Sequence, residues 1–574
     1  MWAIASLVAE AASPQRWSTM SPTTVHVDNE PSPRPQQWSA MSPTTVHVDN
    51  EPSPRPHILF ILQDDLGRYN VAFMANRTDR PSADVTSVSS HLSQIADEGI
   101  VLEQHYVHFF CSPTRRSLLT GRTPLHHGEL LSDVAGDDID LRWTTIGQKL
   151  EAAGYESHWY GKGHTGYASM NHLPHRIGFS SGHVGFLGGS MGYTELDRWR
   201  QEAPYHNGSY STFVFGDAAL AALEAHDVSK SLFMYLPWQS VHGPYTEPPG
   251  WDRSEQQCDG FDNACTLYGM LGVADRYVGE LRKLLVQKGM WGSTLMIFSS
   301  DNGGVEAGVN YPLRGEKMTS WEGGMRVAAF VSGGFVPSQL RGTVSELRIH
   351  IADWYPTLCN LVGVDPTDDP PVPPLLADPS EPGKDLYGNE SFPPIDGVDV
   401  WPMLMSPARY RFDAAHETLW LTKHVLLHGP FKLILVQPAD GKKAHNSGWR
   451  TPDGVWEEGD PEAFGCEATT DDETFAFFRP CLFDVVHDPA ERLNLASSQP
   501  ELLRSLWKLL NDSQLTEFHA KSPAELLGPC DEVCAAEHWR NLGSDPVVHS
   551  WRPDFVEAAG PICGVPGCGD ATVY

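Results

Sequence analysis

The sequence predicts an α/β fold in which helices flank a mixed, mainly parallel sheet, followed by a smaller C-terminal domain with an antiparallel sheet. Two observations support this prediction. Short apolar runs alternate with stretches of helical spacing from residue 57 onward, which is typical of βαβ units. Beyond a Pro-, Asp- and Gly-rich segment at 365–395, apolar runs follow one another closely. We therefore expect a main domain over 57–395 and a smaller one over 396–574.

The first 56 residues are predicted to be a disordered leader. Residues 16–36 and 37–57 are near-copies with a period of 21, and Trp17 recurs as Trp38. Two copies rich in Pro, Ser and Thr are not a solenoid, which needs about three repeats to bury a core. A duplicated exon and a gene-model error both explain the repeat. The opening MWAIASLVAEAAS lacks a basic n-region, so it is at best a fragmentary signal peptide.

The main domain is predicted from apolar strands and amphipathic helices. Runs typical of strands buried on both faces are HILFIL (57–62), SLFMYL (231–236) and STLMIFS (293–299). Helical spacing with recognisable ends covers 144–154 and 266–289. In the C-terminal part, 418–436 and 481–496 predict antiparallel strands with a turn, and 501–512 predicts a helix. We find no run of about eighteen apolar residues and expect no membrane span.

Polar residues follow each of the three predicted strands. Asp64 and Asp65 follow the first, His242 the second, and Asp301 and Asn302 the third. In parallel sheets the ligand crevice lies beyond the carboxyl ends of the strands, so these side chains should meet. A lone Asp-Asp or Asp-Asn pair is more often a turn or an N-cap. Two such pairs favour a site for a hard cation, Ca²⁺ or Mg²⁺ rather than zinc.

Charge limits the possible partners. The formal net charge of −32 argues against non-specific nucleic-acid binding, which needs a basic surface. An anionic substrate would therefore need a local group of cations. A lone lysine or histidine is usually solvated or capping, but several near the predicted metal favour an anion site: Arg115, Lys162, His164, His242 and Lys317.

Cys111 precedes a predicted helix start in HFFCSPTRRSLLTGR (108–122). Pro113 suits a first helical turn, where free N–H groups favour negative charge. The thiol could be a buried free cysteine, half of a disulfide, or a nucleophile of the tyrosine-phosphatase type. The last needs an arginine six positions after the cysteine, but that position is Ser117.

The other cysteines indicate an oxidising compartment. Four close pairs suit local disulfides: Cys258/Cys265, Cys466/Cys481, Cys530/Cys534 and Cys563/Cys568. A zinc site fits poorly because no C-x-x-C occurs, and Cys111 and Cys359 are left over. Glycosylation sequons at Asn76, Asn207, Asn389 and Asn511 are compatible with the secretory pathway.

Taken together, these motifs resemble the type I sulfatases. Cys111-Ser112-Pro113-Thr114-Arg115 followed by Thr120-Gly121-Arg122 resembles the family signature, and the other family motifs occur in order over His57–Asn494: DDLG (64–67), GKGHTG (161–166), QSVH (239–242), DNGG (301–304), PLRGEK (312–317) and LFDVVHDPAER (482–492). The likeness is closest to the arylsulfatase B group, through LRGEKMTSWEGGMRV and IHIADWYPTL. It implies an alkaline-phosphatase-like fold, with 57–395 as the catalytic sulfatase domain.

The resemblance also implies residue roles. Asp64, Asp65, Asp301 and Asn302 would hold one Ca²⁺ per chain together with residue 111, after a formylglycine-generating enzyme has converted Cys111 to formylglycine. Arg115 would steady the formylglycine hydrate, and Lys162 and His164 would contact the hydrate or the sulfate. His242 and Lys317 would bind sulfate and protonate the leaving alkoxide.

The implied reaction is hydrolysis of an aryl or carbohydrate sulfate ester. One hydroxyl of the hydrate attacks sulfur while the alcohol departs, and the other then loses its proton and expels sulfate. The implied location is the secretory pathway, lysosomal or extracellular. Two alternatives stay open: a phosphate or phosphonate ester hydrolase of the same superfamily, and a non-catalytic protein that binds sulfated glycans with Cys111 unmodified.

Some positions depart from the family pattern. Gly163 stands where the family has a Trp, Thr165 where it has a Leu, and RYN at 68–70 where it has WND. We expect these differences to change the packing and the shape of the pocket rather than the catalytic atoms. Four further residues could be pocket walls or ordinary packing: His126, His127, His183 and Trp321.

Overall fold

The computed structural model describes most of the main domain and part of the C-terminal domain. The described residues are 55–128, 139–141, 143–166, 172–194, 198–201, 203–205, 208–251, 263–367, 393–435, 448–457 and 480–513. The predicted leader up to residue 54, with most of its repeat, and the greater part of the predicted linker lie outside these ranges.

A mixed sheet of eleven strands forms the centre of the main domain. The strands are β1 (His57–Gln63), β2 (Ile100–Tyr106), β3 (Glu156–Lys162), β4 (Gly182–Phe186), β5 (Trp199–Arg200), β6 (Ala203–Pro204), β7 (Leu232–Pro237), β8 (Thr294–Ser300), β9 (Arg326–Val327), β10 (Ala329–Ser332) and β11 (Thr343–His350). Their order is β11-β2-β10-β8-β1-β7-β3-β4-β5-β6, with β9 beside β2.

The central strands of this sheet are parallel. β1 runs parallel to β7 and β8, β3 to β7 and β4, and β2 to β11. β10 lies antiparallel between β2 and β8, and the short β5, β6 and β9 also pair antiparallel. The predicted mixed, mainly parallel sheet is confirmed, and the parallel strands end at one edge.

Helices cover both faces of the sheet. They are α1 (Ala72–Ala75), α2 (Ala83–Val88), α3 (Ser90–Asp97), α4 (Cys111–Thr120), α5 (Pro124–His127), α6 (Ile146–Ala152), α7 (Ser211–Ala225), α8 (Ala264–Gln287), α9 (Glu322–Met325), α10 (Trp354–Val362) and α11 (Trp401–Leu404). Leu59 and Ile61 of β1 pack with residues of α3, α7 and α8, whereas Phe60 packs on the opposite face with α4, α6 and α10. The apolar run of β1 is therefore buried on both sides, as predicted.

Two helices predicted from their spacing begin and end close to the expected residues. α6 starts after Thr145, whose side chain accepts a hydrogen bond from the backbone N–H of Gln148. The Gln148 side chain in turn accepts one from the backbone N–H of Thr145. α8 covers 264–287, against the predicted 266–289. None of the helices in the described ranges is long and apolar enough to cross a bilayer.

The C-terminal part contains a second sheet. β12 (Thr418–Thr422), β13 (Val425–His428), β14 (Phe431–Ile434) and β17 (Cys481–Asp484) form an antiparallel sheet, β15 (Trp449–Arg450) and β16 (Trp456–Glu457) pair separately, and α12 covers Pro500–Ser513. The predicted antiparallel sheet and helix are confirmed, while the domain boundary at 395/396 stays a prediction.

The small sheet has two apolar faces. Leu433 and Leu482 pack against Leu506 and Leu510 of α12. On the opposite face, residues of β12, β13, β14 and β17 form a cluster with four residues of the main domain, Tyr106, Phe109, Trp321 and Met325. Alternation along the strands thus places this sheet between α12 and the main domain.

Two of the described cysteines, Cys265 and Cys481, are each disulfide-bonded. Their predicted partners, Cys258 and Cys466, lie outside the described residues, so the pairing stays a prediction. Cys111 and Cys359 are buried and are not disulfide-bonded.

A buried charge cluster joins the two sheets. Lys432 Nζ of β14 lies 2.9 Å from Glu322 Oε1 and 3.0 Å from Glu491 Oε1. The second carboxylate oxygen of Glu491 accepts from the backbone N–H of Glu322 at 2.7 Å. Burial raises the pKa of Glu491 to about 7 despite the attraction of Lys432, and the negative charge of Glu322 adds to the shift.

This pKa predicts a pH-dependent stability. Between the ordinary value of 4.5 and about 7, folded Glu491 holds a proton that the unfolded chain has lost, so the free energy of unfolding falls as pH rises through this window. We expect Glu491→Gln to remove up to about 1.4 kcal/mol per pH unit of that slope, measured by urea unfolding. Glu501→Gln, on the exposed face of α12, is the control. An unchanged slope in Glu491→Gln would contradict the prediction.

Candidate active site

Three turns at the carboxyl edge of the sheet are joined by backbone hydrogen bonds. The Asp64 N–H donates to the Ser240 carbonyl at 3.1 Å, and the Val241 N–H donates to the Asp64 carbonyl at 2.8 Å. The Asp301 N–H donates to the Gln63 carbonyl at 3.0 Å. Because β1, β7 and β8 are parallel neighbours, the polar residues after all three strands meet at this edge, as the sequence predicted.

Two buried cations lie beside Asp64 and Asp301. Arg115 Nη2, from the first turns of α4, lies 2.6 Å from Asp301 Oδ2 and 3.6 Å from Asp64 Oδ1. Lys162 Nζ, at the end of β3, lies 2.8 Å from Asp64 Oδ2. Burial, with the charge of Asp301, raises the pKa of Asp64 well above its usual range. Burial also raises the pKa of Asp301, but the positive charge of Arg115 outweighs burial, so the pKa of Asp301 lies below its ordinary value.

Asp65 is surrounded by three further site residues. Lys317 Nζ lies 2.6 Å from Asp65 Oδ1, the Asn302 amide donates to that oxygen at 2.8 Å, and His242 Nε2 lies 3.6 Å from Oδ2. Burial raises the pKa of Asp65, but Lys317 and His242 outweigh burial and bring it below its ordinary value. Asp65 therefore carries its negative charge in the folded protein.

His242 presents one ring nitrogen to the site. Its Nδ1 lies 2.6 Å from the Gly243 carbonyl oxygen. A carbonyl oxygen only accepts, so Nδ1 carries a proton and Nε2 faces Asp65. Burial lowers the pKa of His242, but the negative charge of Asp65 outweighs burial and raises it above its usual value.

Cys111 is the first residue of α4 and is 1% exposed. Burial raises the pKa of its thiol, but Lys162 and Lys317 outweigh burial and lower it well below the ordinary value, helped by a hydrogen bond with His164. The His164 ring packs edge-on against Phe110, with 5.6 Å between ring centroids. The residue at position 111 therefore lies among cations.

The carboxylates offer a site for a metal ion. One ligand atom each from Asp64, Asp65, Cys111 and His242 lie within 4.8 Å of one another. Asp64 Oδ1 and Asn302 Oδ1 are buried and have no hydrogen-bond partner in the described structure. Buried oxygens are rarely left unpaired, and a cation between them would satisfy both. The donor set thus fits a hard ion, with the oxygen atoms as its ligands.

Asp301 differs from the other predicted metal ligands. Its Oδ2 accepts from Arg115, and its Oδ1 accepts from the backbone N–H of Asp65 at 3.1 Å. His242, predicted to act on the sulfate, instead has a ring nitrogen close to the carboxylates. The ten predicted site residues all lie in this one network of contacts, and their individual roles stay predictions.

Sequence reasoning missed two residues that position the site. Asn310 accepts from the Gly304 N–H at 2.9 Å and donates to the Gly304 and Gly315 carbonyls, which fixes the DNGG turn to the segment that carries Lys317. Tyr193 donates to the His242 carbonyl at 2.9 Å. Neither residue belongs to a quoted motif, and only the folded chain brings them to the site.

The residues with two possible readings are buried in packing. His126 Nδ1 lies 2.7 Å from Asp396 Oδ1, and His127 Nε2 lies 2.8 Å from Ser117 Oγ. His183 and Trp321 are each 1% exposed. At Gly163, an added Cβ would lie 3.0 Å from the Leu187 carbonyl oxygen, so the glycine permits a close approach of the two backbones.

Comparison with known proteins identifies the class. The sulfatase family model matches residues 56–364, and the chain belongs to the sulfatase family. Mouse (Mus musculus) arylsulfatase J is 28% identical over 514 residues, covering 81% of this chain and 77% of the relative. Pig (Sus scrofa) N-acetylgalactosamine-6-sulfatase is 24% identical over 548 residues, covering 88% and 91%. The reaction class of this chain is therefore the hydrolysis of sulfate esters.

Solved structures share the fold. The crystal structure of Ps i-CgsB matches with a TM-score of 0.59 at 21% identity, covering 85% of this chain and 97% of that one. That protein is also known in complex with k-i-k-neocarrahexaose. The PsFucS1 sulfatase from Pseudoalteromonas sp. matches with a TM-score of 0.57 at 19% identity, covering 82% and 92%. The type I sulfatase family predicted from the motifs is confirmed, while the likeness to the arylsulfatase B group stays a prediction.

The Arg115 contacts predict a large stability effect. Arg115→Gln leaves the buried carboxylate of Asp301 without its cation, which typically costs about 3–5 kcal/mol. We expect this loss in urea unfolding of the metal-free protein. Arg276→Gln is the matched control, because the Arg276 side chain is 52% exposed and such substitutions change stability by about 0.5 kcal/mol or less. Equal stability of the two variants would disprove the structural role of Arg115.

Proposed function

We propose that this sulfatase cleaves its sulfate ester with a formylglycine made from Cys111, beside one bound Ca²⁺. The observation that carries the proposal is the position of Cys111. Its thiol has a ligand atom within 4.8 Å of those of Asp64, Asp65 and His242, and it has no cysteine partner. A thiol held among carboxylates and cations has no evident structural role, but its position suits a nucleophile made by modification of the cysteine.

Calcium is proposed on the chemistry of the donors. Asp64, Asp65, Asp301 and Asn302 would hold the ion together with the converted residue 111, and the unpaired oxygens of Asp64 and Asn302 support this set. Bound calcium supplies positive charge that stabilises the sulfate oxygens as charge builds on them. The carboxylates alone are the reason to prefer a hard ion to zinc.

The remaining side chains divide the work on the substrate. One hydroxyl of the hydrated aldehyde would attack sulfur and become the sulfate ester as the alcohol departs. The other hydroxyl would then lose its proton and form the C=O bond while the C–O bond to sulfate breaks. Lys162 and Lys317 would contact sulfate oxygens, and His164 would hydrogen-bond residue 111. His242 would give the proton on Nε2 to the leaving alkoxide, since burial lowers the pKa of His242 but the charge of Asp65 outweighs burial and favours the protonated ring. Arg115 would hold the turn at Asp301 and orient the hydrate.

A sulfated carbohydrate is the proposed substrate class. The relatives named for N-acetylgalactosamine 6-sulfate and the oligosaccharide complex of Ps i-CgsB support it. We place the protein in the secretory pathway, lysosomal or extracellular, where a formylglycine-generating enzyme would act on it. The disulfides at Cys265 and Cys481 and the exposed sequon residues Asn76 and Asn511 support that location.

Mass spectrometry tests the modification. In protein made with a formylglycine-generating enzyme, we expect the peptide containing residue 111 to carry an aldehyde. Cys111→Ala should lose about 10⁴-fold or more in kcat/KM on an aryl sulfate, because removing a nucleophile typically costs that much. Cys359→Ala, which changes the other free buried cysteine, is the control. An active protein with only intact cysteine at 111 would refute the mechanism, and preference for an aryl phosphate or phosphonate over the sulfate would favour the alternative hydrolase.

Metal removal tests calcium. We expect Ca²⁺ at about one hundred times its Kd to stabilise the chelated protein by about 2.7 kcal/mol, read as a rise in Tm, with little effect from Zn²⁺. Asp64→Asn should abolish the rise, because it removes the negative charge and replaces one carboxylate oxygen with an NH₂ group, which does not bind a cation. Glu224→Gln, at an exposed position of α7, is the matched control. A Zn²⁺-specific rise would count against calcium.

A further inference from the structure

We propose that Lys432 of the C-terminal sheet is a positioning residue that fixes the segment carrying Lys317, the proposed sulfate ligand. The inference rests on the proposed function of Lys317. Lys432 and Glu322 are completely buried and lie 2.9 Å apart, although they are 110 positions apart in sequence. Lys432 thus reaches from β14 of the small sheet to the segment that also carries Lys317.

Glu322 is anchored from several directions. Besides Lys432, it accepts from the Tyr106 hydroxyl at 2.8 Å and lies 3.5 Å from Arg326 Nη1. Its backbone N–H donates to Glu491. Lys432, on the C-terminal sheet, is the buried cation closest to the Glu322 carboxylate, so the small sheet helps to hold α9 in place.

The backbone of α9 is tied to both active-site turns. The Gly323 N–H donates to the Arg314 carbonyl at 2.6 Å, and the Gly303 N–H donates to the Gly324 carbonyl at 2.9 Å. The Lys317 N–H donates to the Gly304 carbonyl at 3.2 Å. These backbone hydrogen bonds therefore connect α9, which begins at Glu322, to the DNGG turn and to Lys317.

These contacts leave little room for movement. A Cβ added at Gly303 would lie 1.8 Å from the Gly323 carbonyl oxygen, and one added at Gly323 would lie 2.4 Å from the Arg314 carbonyl oxygen. Backbones packed this closely move together, because packed segments do not deform freely. A displacement of Glu322 would thus reach Lys317, whose Nζ lies 2.6 Å from Asp65.

The C-terminal part contacts the same segment at a second place. The Gly315 N–H donates to the Gly448 carbonyl at 2.8 Å. The Arg314 guanidinium lies 3.5 Å from the centre of the Trp321 ring and 4.9 Å from that of Trp449. Contacts from β15 and from Lys432 therefore flank Lys317 on either side in sequence.

Stability alone does not account for Lys432. It lies on β14 with Ile434 on the same face, against an apolar cluster. A buried ion pair is often no more stabilising than apolar residues of similar volume, whereas it does define one geometry for its partners. The positive charge of Lys432 positions the Glu322 carboxylate, which an apolar side chain in its place could not do.

The test is Lys432→Met in the full-length, calcium-loaded protein. We expect kcat/KM on an aryl sulfate to fall about 100-fold, the loss typical of a small misplacement of catalytic groups, with the circular dichroism spectrum unchanged. If the single variant does not fold, the same measurements are made on the double variant K432M/E491Q, which leaves no unpaired carboxylate at position 491. Leu510→Ala is the matched control: it destabilises the same sheet through α12 and does not touch Glu322, so its kcat/KM should equal that of the wild type.

A second readout separates this inference from the proposed function. Binding of inorganic sulfate, measured by titration calorimetry in a Cys111→Ala background, needs no turnover. We expect Lys432→Met to weaken it at least about tenfold and Leu510→Ala to leave it unchanged. A wild type without sulfatase activity would sink the proposed function but would leave this comparison intact. A folded Lys432→Met or K432M/E491Q protein with wild-type kcat/KM and sulfate affinity would overturn the positioning role.

Discussion

Compensation of buried charge at the carboxyl edge of the sheet is the constraint on which the rest of the site depends. Asp64, Asp65 and Asp301 are at most 4% exposed, and an ionised carboxylate is costly to bury unless it is paired. Arg115, Lys162 and Lys317 supply the cations, and each comes from a different part of the chain. The fold must therefore bring α4, the end of β3 and the segment after β8 to one edge.

The same constraint explains why the two sheets are connected. The segment that carries Lys317 also carries Glu322, which is buried against Lys432 of the small sheet. Phe109, two residues before Cys111, lies in the apolar cluster under that sheet. The active site thus has the main sheet on one side and the C-terminal sheet on the other. The C-terminal part therefore contacts the segments that carry Cys111 and Lys317.

The central strands and the place where the site residues meet could be predicted from the sequence. Strands buried on both faces, such as β1, are continuous apolar runs, and residues just beyond them meet at one edge whatever else the chain does. The antiparallel β10 could not be predicted, because its direction depends on the path of residues 301–328 between β8 and β10, which no local pattern in the sequence determines. Pairs such as Glu322 and Lys432, and the links made by Asn310, depend on packing between distant segments. No local pattern in the sequence marks them.

We propose that oxygen ligands hold a hard cation beside residue 111. A crystal structure of the full-length protein grown with Ca²⁺, with anomalous data to locate the ion, would test this proposal. We expect a single ion bonded at about 2.3–2.6 Å to oxygens of Asp64, Asp65, Asp301 and Asn302, next to a modified residue 111. An ion bonded instead to the His242 ring and an intact Cys111 thiol would contradict it.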